Sequence, residues 1–223
     1  MLDHWLTRSG LCLLLVAGAA FARDPAVVAR DEAAIRNVFG TYRDAVMNDR
    51  GQEAARQLAT SVALRYERVR DLALHAPRAE LATLPTMELV NVLMVRQRIP
   101  AAELRRMSGV ALIEHALDNG WIGKQSVAGF RVDHVDVVGD SAVARIVSTS
   151  EDGSARLPFV REVSGWRIDL LATMREASLA FDLRAKQQGL GRDEFVFMLL
   201  SSIGDRRADE SLWEPPLPRP ATD

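Results

Sequence analysis

The stretch FRVDHVDVVGDSAVARIVSTSEDGSARLPFVREVSGWRIDL, residues 130–170, decides the fold. Apolar and polar residues alternate along it, and three turn-forming pairs, Gly139-Asp140, Asp152-Gly153 and Ser164-Gly165, recur at 12- to 13-residue spacing. Alternation marks strands with one buried face, and two-residue turns join antiparallel neighbours. The spacing predicts a four-stranded antiparallel meander.

Counting outward from each turn gives a register, because directly opposed residues share a face. One face collects Val135, Val137, Ala142, Ala144, Ile146, Leu157, Phe159, Val163, Trp166, Ile168 and Leu170, and is the expected core side. The other collects His134, Asp136, Arg145, Glu162, Arg167 and Asp169, with Glu162 across from Arg167. Arg161 falls on the core face, beside Ala144 and opposite Ile168. Asp133 and Arg131 fall on that face nearer one end.

On the N-terminal side, Asp24-Pro25 is a helix start: the aspartate accepts orphan amides and proline suits the first helical position. Ile35, Val38, Phe39, Tyr42, Ala45 and Val46 recur at helical spacing up to a stop near Gly51. From Gln52 to Asn119 the chain reads as wholly helical, broken by Pro77, Pro85, Pro100 and Gly109 into pieces near 52–59, 62–75, 87–97, 101–106 and 109–118. On the C-terminal side, helices are expected at about 175–188 and from Phe195 to Gly204. The proline-rich end is extended, with Trp213 as its anchor.

The ends and the composition bound the class. Arg8, the apolar run Leu11 to Ala20 and the small residues flanking Phe21 make residues 1–22 read as a cleavable export signal. The expected destination is the periplasm or the medium, with a domain at 23–174 and C-terminal helices and tail at 175–223. The one cysteine, Cys12, lies inside that signal, so no disulfide, reactive thiol or cysteine-ligated zinc is expected in the mature part. Later apolar runs are too short for a membrane span. With 28 Lys+Arg interspersed among 30 Asp+Glu there is no basic stripe, which argues against a nucleic-acid partner.

A long first helix carrying Phe39-Gly40-Thr41-Tyr42-Arg43-Asp44-Ala45, followed by helices and a curled sheet ending in Gly165-Trp166-Arg167-Ile168-Asp169-Leu170, resembles the NTF2-like superfamily, the cone-shaped α+β proteins that include ketosteroid-isomerase-like and SnoaL-like members. The family places a strand between its early helices where this chain reads as helical. The resemblance implies a pocket between sheet and helices. It implies no single chemistry, because the fold hosts isomerases, dehydratases, hydrolases and binding proteins.

Arg161 is the most informative candidate, since a guanidinium on a core face needs an acceptor or shapes a polar cavity. It either holds an anionic or carbonyl group of a ligand, with Asp133 and Arg131 nearby, or pairs internally with a helix carboxylate. His134 and Asp136 map to the outer face, and a bulge at Val135 would turn His134 inward. Tyr42 and Tyr66 either pack on a helix face, their hydroxyls reaching a neighbour, or line the pocket. His75, His115 and His134 are scattered and supply no metal set. No Gly-rich phosphate loop or nucleophile elbow is present, so no cofactor is expected.

Three functional readings follow. The first is a non-catalytic exported protein that binds a small, partly apolar ligand or a protein partner. The second is a small acid-base enzyme with Asp133 or His134 as base and Arg161 as electrostatic stabiliser. The third is a homodimer paired through the sheet or the last helix.

Overall fold

The computed structural model describes residues 24–121, 124, 127–148, 153–203 and 208–218. The expected export signal lies outside the described residues, as do Asp152 of the second turn pair and the last residues of the tail. The fold is α+β: N-terminal helices, a curled four-stranded antiparallel sheet in the order β1-β2-β3-β4, and C-terminal helices.

Helix α1 (Pro25–Met47) starts under the Asp24 cap, whose carboxylate accepts from the Ala26 amide at 2.9 Å. It buries Ile35, Val38, Phe39, Tyr42, Ala45 and Val46, the face that the helical spacing predicts. The following half is less uniformly helical than its composition suggests. α2 spans only Gly51–Ala55, and after a turn at Arg56 and Gln57 the chain forms a parallel bridge from Leu58 to Ile168. The Ala59 amide donates to the Ile168 carbonyl at 2.9 Å and the Ile168 amide to Gln57 at 2.8 Å. An unpaired sheet edge offers those groups, and the segment satisfies them better than another helical turn does.

α3 (Thr60–His75), α4 (Arg78–Leu81), α5 (Thr86–Arg98), α6 (Ala101–Leu104) and α7 (Gly109–Asp118) complete the helical half. Their ends are held by side chains from remote segments. Glu162 of the sheet accepts from the Thr60 amide at 2.7 Å, placing a carboxylate on the N-terminus of α3. Arg96 donates to the carbonyls of Leu72, Ala73, Ala76 and Leu212 at 2.6–3.0 Å, closing the end of α3 and tying the tail to it. Burial lowers the Arg96 pKa to about 10, against a raising influence from Glu214. Gly109 sits where α7 crosses α3: a Cβ there would lie 2.3 Å from the Ala63 carbonyl oxygen.

The sheet comprises β1 (Phe130–Val138), β2 (Ser141–Ser148), β3 (Ser154–Glu162) and β4 (Gly165–Ile168). The first turn has the expected register, with Val138 opposite Ser141 and His134 opposite Arg145. The other two registers differ from the two-residue count, both by even steps. Ala144 pairs with Leu157 instead of Arg161, because the ladder closes at Val147 and Ser154 and leaves a longer connection. Arg161 pairs with Trp166 instead of Ile168, because the last turn is Val163-Ser164, and Gly165, at φ 110°, opens β4. An even step leaves every side chain on its face. Ala142, Ala144, Leu157, Phe159, Trp166 and Ile168 are accordingly buried.

Three expectations fail locally. Val163 is at the turn tip and fully exposed instead of inside. Glu162 lies opposite Gly165 and caps α3 instead of pairing with Arg167, whose guanidinium bonds Trp166 and Ser164. The third is a β-bulge at Asp133, between the pairs Val132–Ile146 and His134–Arg145. This step is odd, so it flips what precedes it. Val132 takes the core position, whereas Arg131 and Asp133 leave it. The bulge is held from α1: Arg36 donates to the carbonyls of Val132 and Asp133 at 2.5 and 3.0 Å.

α8 (Leu170–Gln187) begins five residues earlier than expected, because Asp169 caps it through the Leu171 amide at 3.0 Å. α9 (Arg192–Ile203) and a 3₁₀ turn, Glu210–Trp213, follow. Trp213 is buried, under the Arg78 guanidinium and beside Phe197, and anchors the tail as expected. Two apolar clusters result. One joins α1 to the sheet, the other joins α3, α5 and α9, and Tyr66 of α3 packs against both.

Candidate functional site

Arg161 resolves in favour of internal pairing. Its guanidinium donates to Asp31 of α1 at 2.5 Å, lies 3.3 Å from Asp140 and stacks 4.5 Å from the Trp166 ring centre. Asp31 is 4 % exposed and also accepts from the Trp166 indole at 3.2 Å. A buried carboxylate is thus met by a cation and a neutral donor, the arrangement that makes burying a charge tolerable. The hydrogen bond to Asp31, opposed by desolvation, raises the Arg161 pKa.

The other candidates do not converge on it. Asp133 bonds Arg145 and lies 3.6 Å from Arg131, on the solvent side of the bulge. The hydrogen bond from Arg145 is the main reason that its pKa is lowered. His134 is exposed and lies 3.0 Å from Asp136, away from the core. The bulge falls at Asp133, not Val135, so the histidine stays outside. Tyr42 is buried in the α1–sheet cluster, where desolvation and the neighbouring Tyr66 raise its pKa. None of the five lines any of the four cavities considered among the described residues.

The inner face of the sheet is filled by α1, so the site lies elsewhere, between α8 and the helices α3, α5 and α7. On α5, Met87, Asn91 and Met94 share one face at helical spacing. The first turns of α8 present Leu170, Thr173, Met174 and Ala177 opposite them. The two faces do not meet fully. They leave a chamber of about 210 Å³, with Tyr66 and Trp121 completing its wall. Met87, Asn91 and Met174 also line an adjoining chamber of about 150 Å³, whose rim carries Arg65, Glu88 and Arg175. Arg65 is bound to Glu88 at 3.0 Å, which Arg68 also approaches at 3.3 Å.

α8 is fastened over this space at its edge. The Thr86 hydroxyl donates to Asp182 at 2.5 Å, and the Met87 amide donates to the Ser178 hydroxyl at 3.0 Å. The chamber walls are mostly apolar, but three polar groups interrupt them. Thr173 Oγ1 is buried and has no hydrogen-bond partner among the described residues. Asn91 is 4 % exposed, and its side-chain amide likewise bonds no described residue. The Tyr66 hydroxyl makes no bond to one either, and burial pushes its pKa up to about 12, so it remains a neutral donor. Of the three, Thr173 Oγ1 is a fully buried atom without a partner, which is rare in folded proteins and calls for an occupant, and the Asn91 amide and the Tyr66 hydroxyl stand beside it free to bond one.

Larger clefts exist but are of another kind. One of about 510 Å³ is lined by Arg96, Arg98, His115, Asn119 and Trp121. Arg96 is already spent on four carbonyls, and Arg98 lies over Trp121 at 5.1 Å. Among the described residues no helix is long and apolar enough to cross a membrane, and no three His, Cys, Asp or Glu side chains cluster as metal ligands.

Sequence reasoning weighed Tyr66 as a packing or pocket-lining residue but did not single out Asn91 and Thr173. The signal available was Asn91 on the apolar face of α5, where an asparagine at a core position is out of place. No family model matches the chain, and no curated protein or solved structure matches it.

Proposed function

We propose that this chain is an exported protein of NTF2-like type that holds a small, partly apolar ligand without transforming it. The observation that carries the reading is Asn91: a residue only 4 % exposed whose side-chain amide bonds no described residue, lining a chamber of about 210 Å³ with mostly apolar walls. A dry protein cavity of about 150 Å³ takes up a benzene-sized guest. The space suits a molecule of one or two rings or a short chain. The binding place is the seam between α5 and α8, away from the sheet face.

The acid-base reading needs Asp133 or His134 to share a closed pocket with Arg161. They stand on the solvent side of β1, while Arg161 is committed to Asp31. Binding requires no such convergence. Native mass spectrometry of the protein purified from an exporting host is the test. A reproducible excess mass that disappears on denaturation is expected; a bare mass, with no uptake of added small hydrophobic compounds, overturns the reading.

A further inference from the structure

The chamber lined by Tyr66, Asn91 and Thr173 has a chemical bias that narrows what it accepts. Its lining includes no charged side chain. The cations Arg65 and Arg175 line only the adjoining chamber, and Arg65 is held by Glu88. An anion placed against the uncharged lining would give up part of its hydration with no opposite charge to meet it. A pure hydrocarbon would leave the Asn91 amide and the Thr173 hydroxyl as unpaired as they are in the free protein. Only a neutral hydrogen-bonding group satisfies both the apolar walls and the unpaired groups.

Resting on the reading that this seam holds a ligand, we infer that the ligand is uncharged where it is buried and carries a carbonyl-type acceptor, as in a ketone, ester or amide, and that Asn91 is the residue that selects it, with Tyr66 and Thr173 beside it. The side-chain NH₂ of Asn91 and the phenol of Tyr66 are donors suited to a carbonyl oxygen. Thr173 donates or accepts as the remaining polar edge of the ligand requires. Sites built to hydrogen-bond a substrate reject an analogue lacking the partner far more strongly than an apolar pocket rejects a change of shape. The three methionines supply an adaptable wall, which makes the polar group the main discriminator.

The test uses three probes of matched shape, 4-phenylbutan-2-one, 3-phenylpropanoate and butylbenzene, titrated calorimetrically into the purified protein and its variants. The ketone is expected to bind about tenfold or more tighter than the carboxylate. Asn91→Leu is expected to weaken the ketone about tenfold while changing butylbenzene by less than about twofold. Because the substitution removes a buried group that has no partner, the melting temperature is expected to hold or rise. Thr173→Val, nearly identical in shape, provides a second variant, with a loss for the ketone of about threefold. Equal or tighter binding of the carboxylate overturns the inference, and so does an unchanged ranking of ketone against hydrocarbon in both variants; in either case the cavity is still shown to bind. Failure of all three probes to bind, together with a bare native mass, removes the ligand-holding reading itself.

Discussion

On the inner face of the sheet a charge is buried together with its partners, while between α5 and α8 two uncharged groups, Asn91 and the Thr173 hydroxyl, bond no described residue. Asp31 meets Arg161 and the Trp166 indole in a filled core. Asn91 and Thr173 Oγ1 face empty volume. The difference follows from magnitude. An unpaired buried carboxylate costs far more than a fold of marginal stability can absorb, so a charge survives inside only where it is already satisfied. A neutral amide or hydroxyl left unpaired costs about 1–3 kcal/mol, which a fold can carry if the group is used. The buried charge at Asp31 therefore reads as architecture, and the unpaired neutral groups that line the chamber between α5 and α8 as a site.

That comparison is open to attack from several sides. The largest effect is expected at Arg96, the half-buried cation of the helical half: Arg96→Met removes donors from four carbonyls, three of which, Ala73, Ala76 and Leu212, are left without that partner while Leu72 keeps the Ala76 amide, and should cost about 3 kcal/mol, read as a shift in the urea midpoint. A loss under about 1 kcal/mol would mean that paired charge in this half is not architectural. Next, Gly109→Ala should cost about 2–3 kcal/mol, since the Cβ would overlap the Ala63 and Glu67 backbone. Tolerance there would show slack in the helical half beyond the cavity and would blur the contrast.

Asp31→Leu should cost about 2 kcal/mol, moderated because Arg161 is partly exposed and keeps Asp140 within reach. Adding Arg161→Met should recover a good part of that loss, and ligand retention should be unchanged in both variants. Altered retention would move the sheet-side pair from architecture into the site. A smaller effect is set by pH. The Tyr66 pKa stands at about 12 in the folded chain, above the ordinary 10.0, so ionisation favours the unfolded state. Its contribution is complete below pH 10 and declines as pH rises from 10 towards 12. Tyr66→Phe should flatten that decline in a series of melting curves. Smallest of all, Thr173→Val should raise stability by roughly 0.5–1 kcal/mol, because a partnerless buried hydroxyl is replaced by a methyl of equal shape. A loss instead would mean that the hydroxyl has a structural partner.

Much of the fold was legible for one reason. Side chains in a strand alternate with period two, and faces survive any even change of register. The turn pairs at 152–153 and 164–165 were read with the wrong loop geometry, yet Ala144, Phe159, Trp166 and Ile168 remained inside. The bulge at Asp133 is the odd step that this reasoning could not absorb, and it moved Asp133 and Arg131, two of the candidate residues, to solvent. Its cause is Arg36, about a hundred positions away in the chain, clamping two carbonyls. The candidate site was less legible still. Asn91 and Thr173 belong to helices on opposite sides of the sheet in sequence, and nothing local to either position marks a gap between them.

The four strands, most of the helices, the cap at Asp24, Trp213 as anchor, and the buried faces of the strands beyond the bulge were legible in the chain itself, because periodicity and turn chemistry are local. The bulge, the partner of Arg161 and the unfilled seam between α5 and α8 came only with the folded chain. Each of those depends on which remote side chain arrives to satisfy a polar group, or fails to.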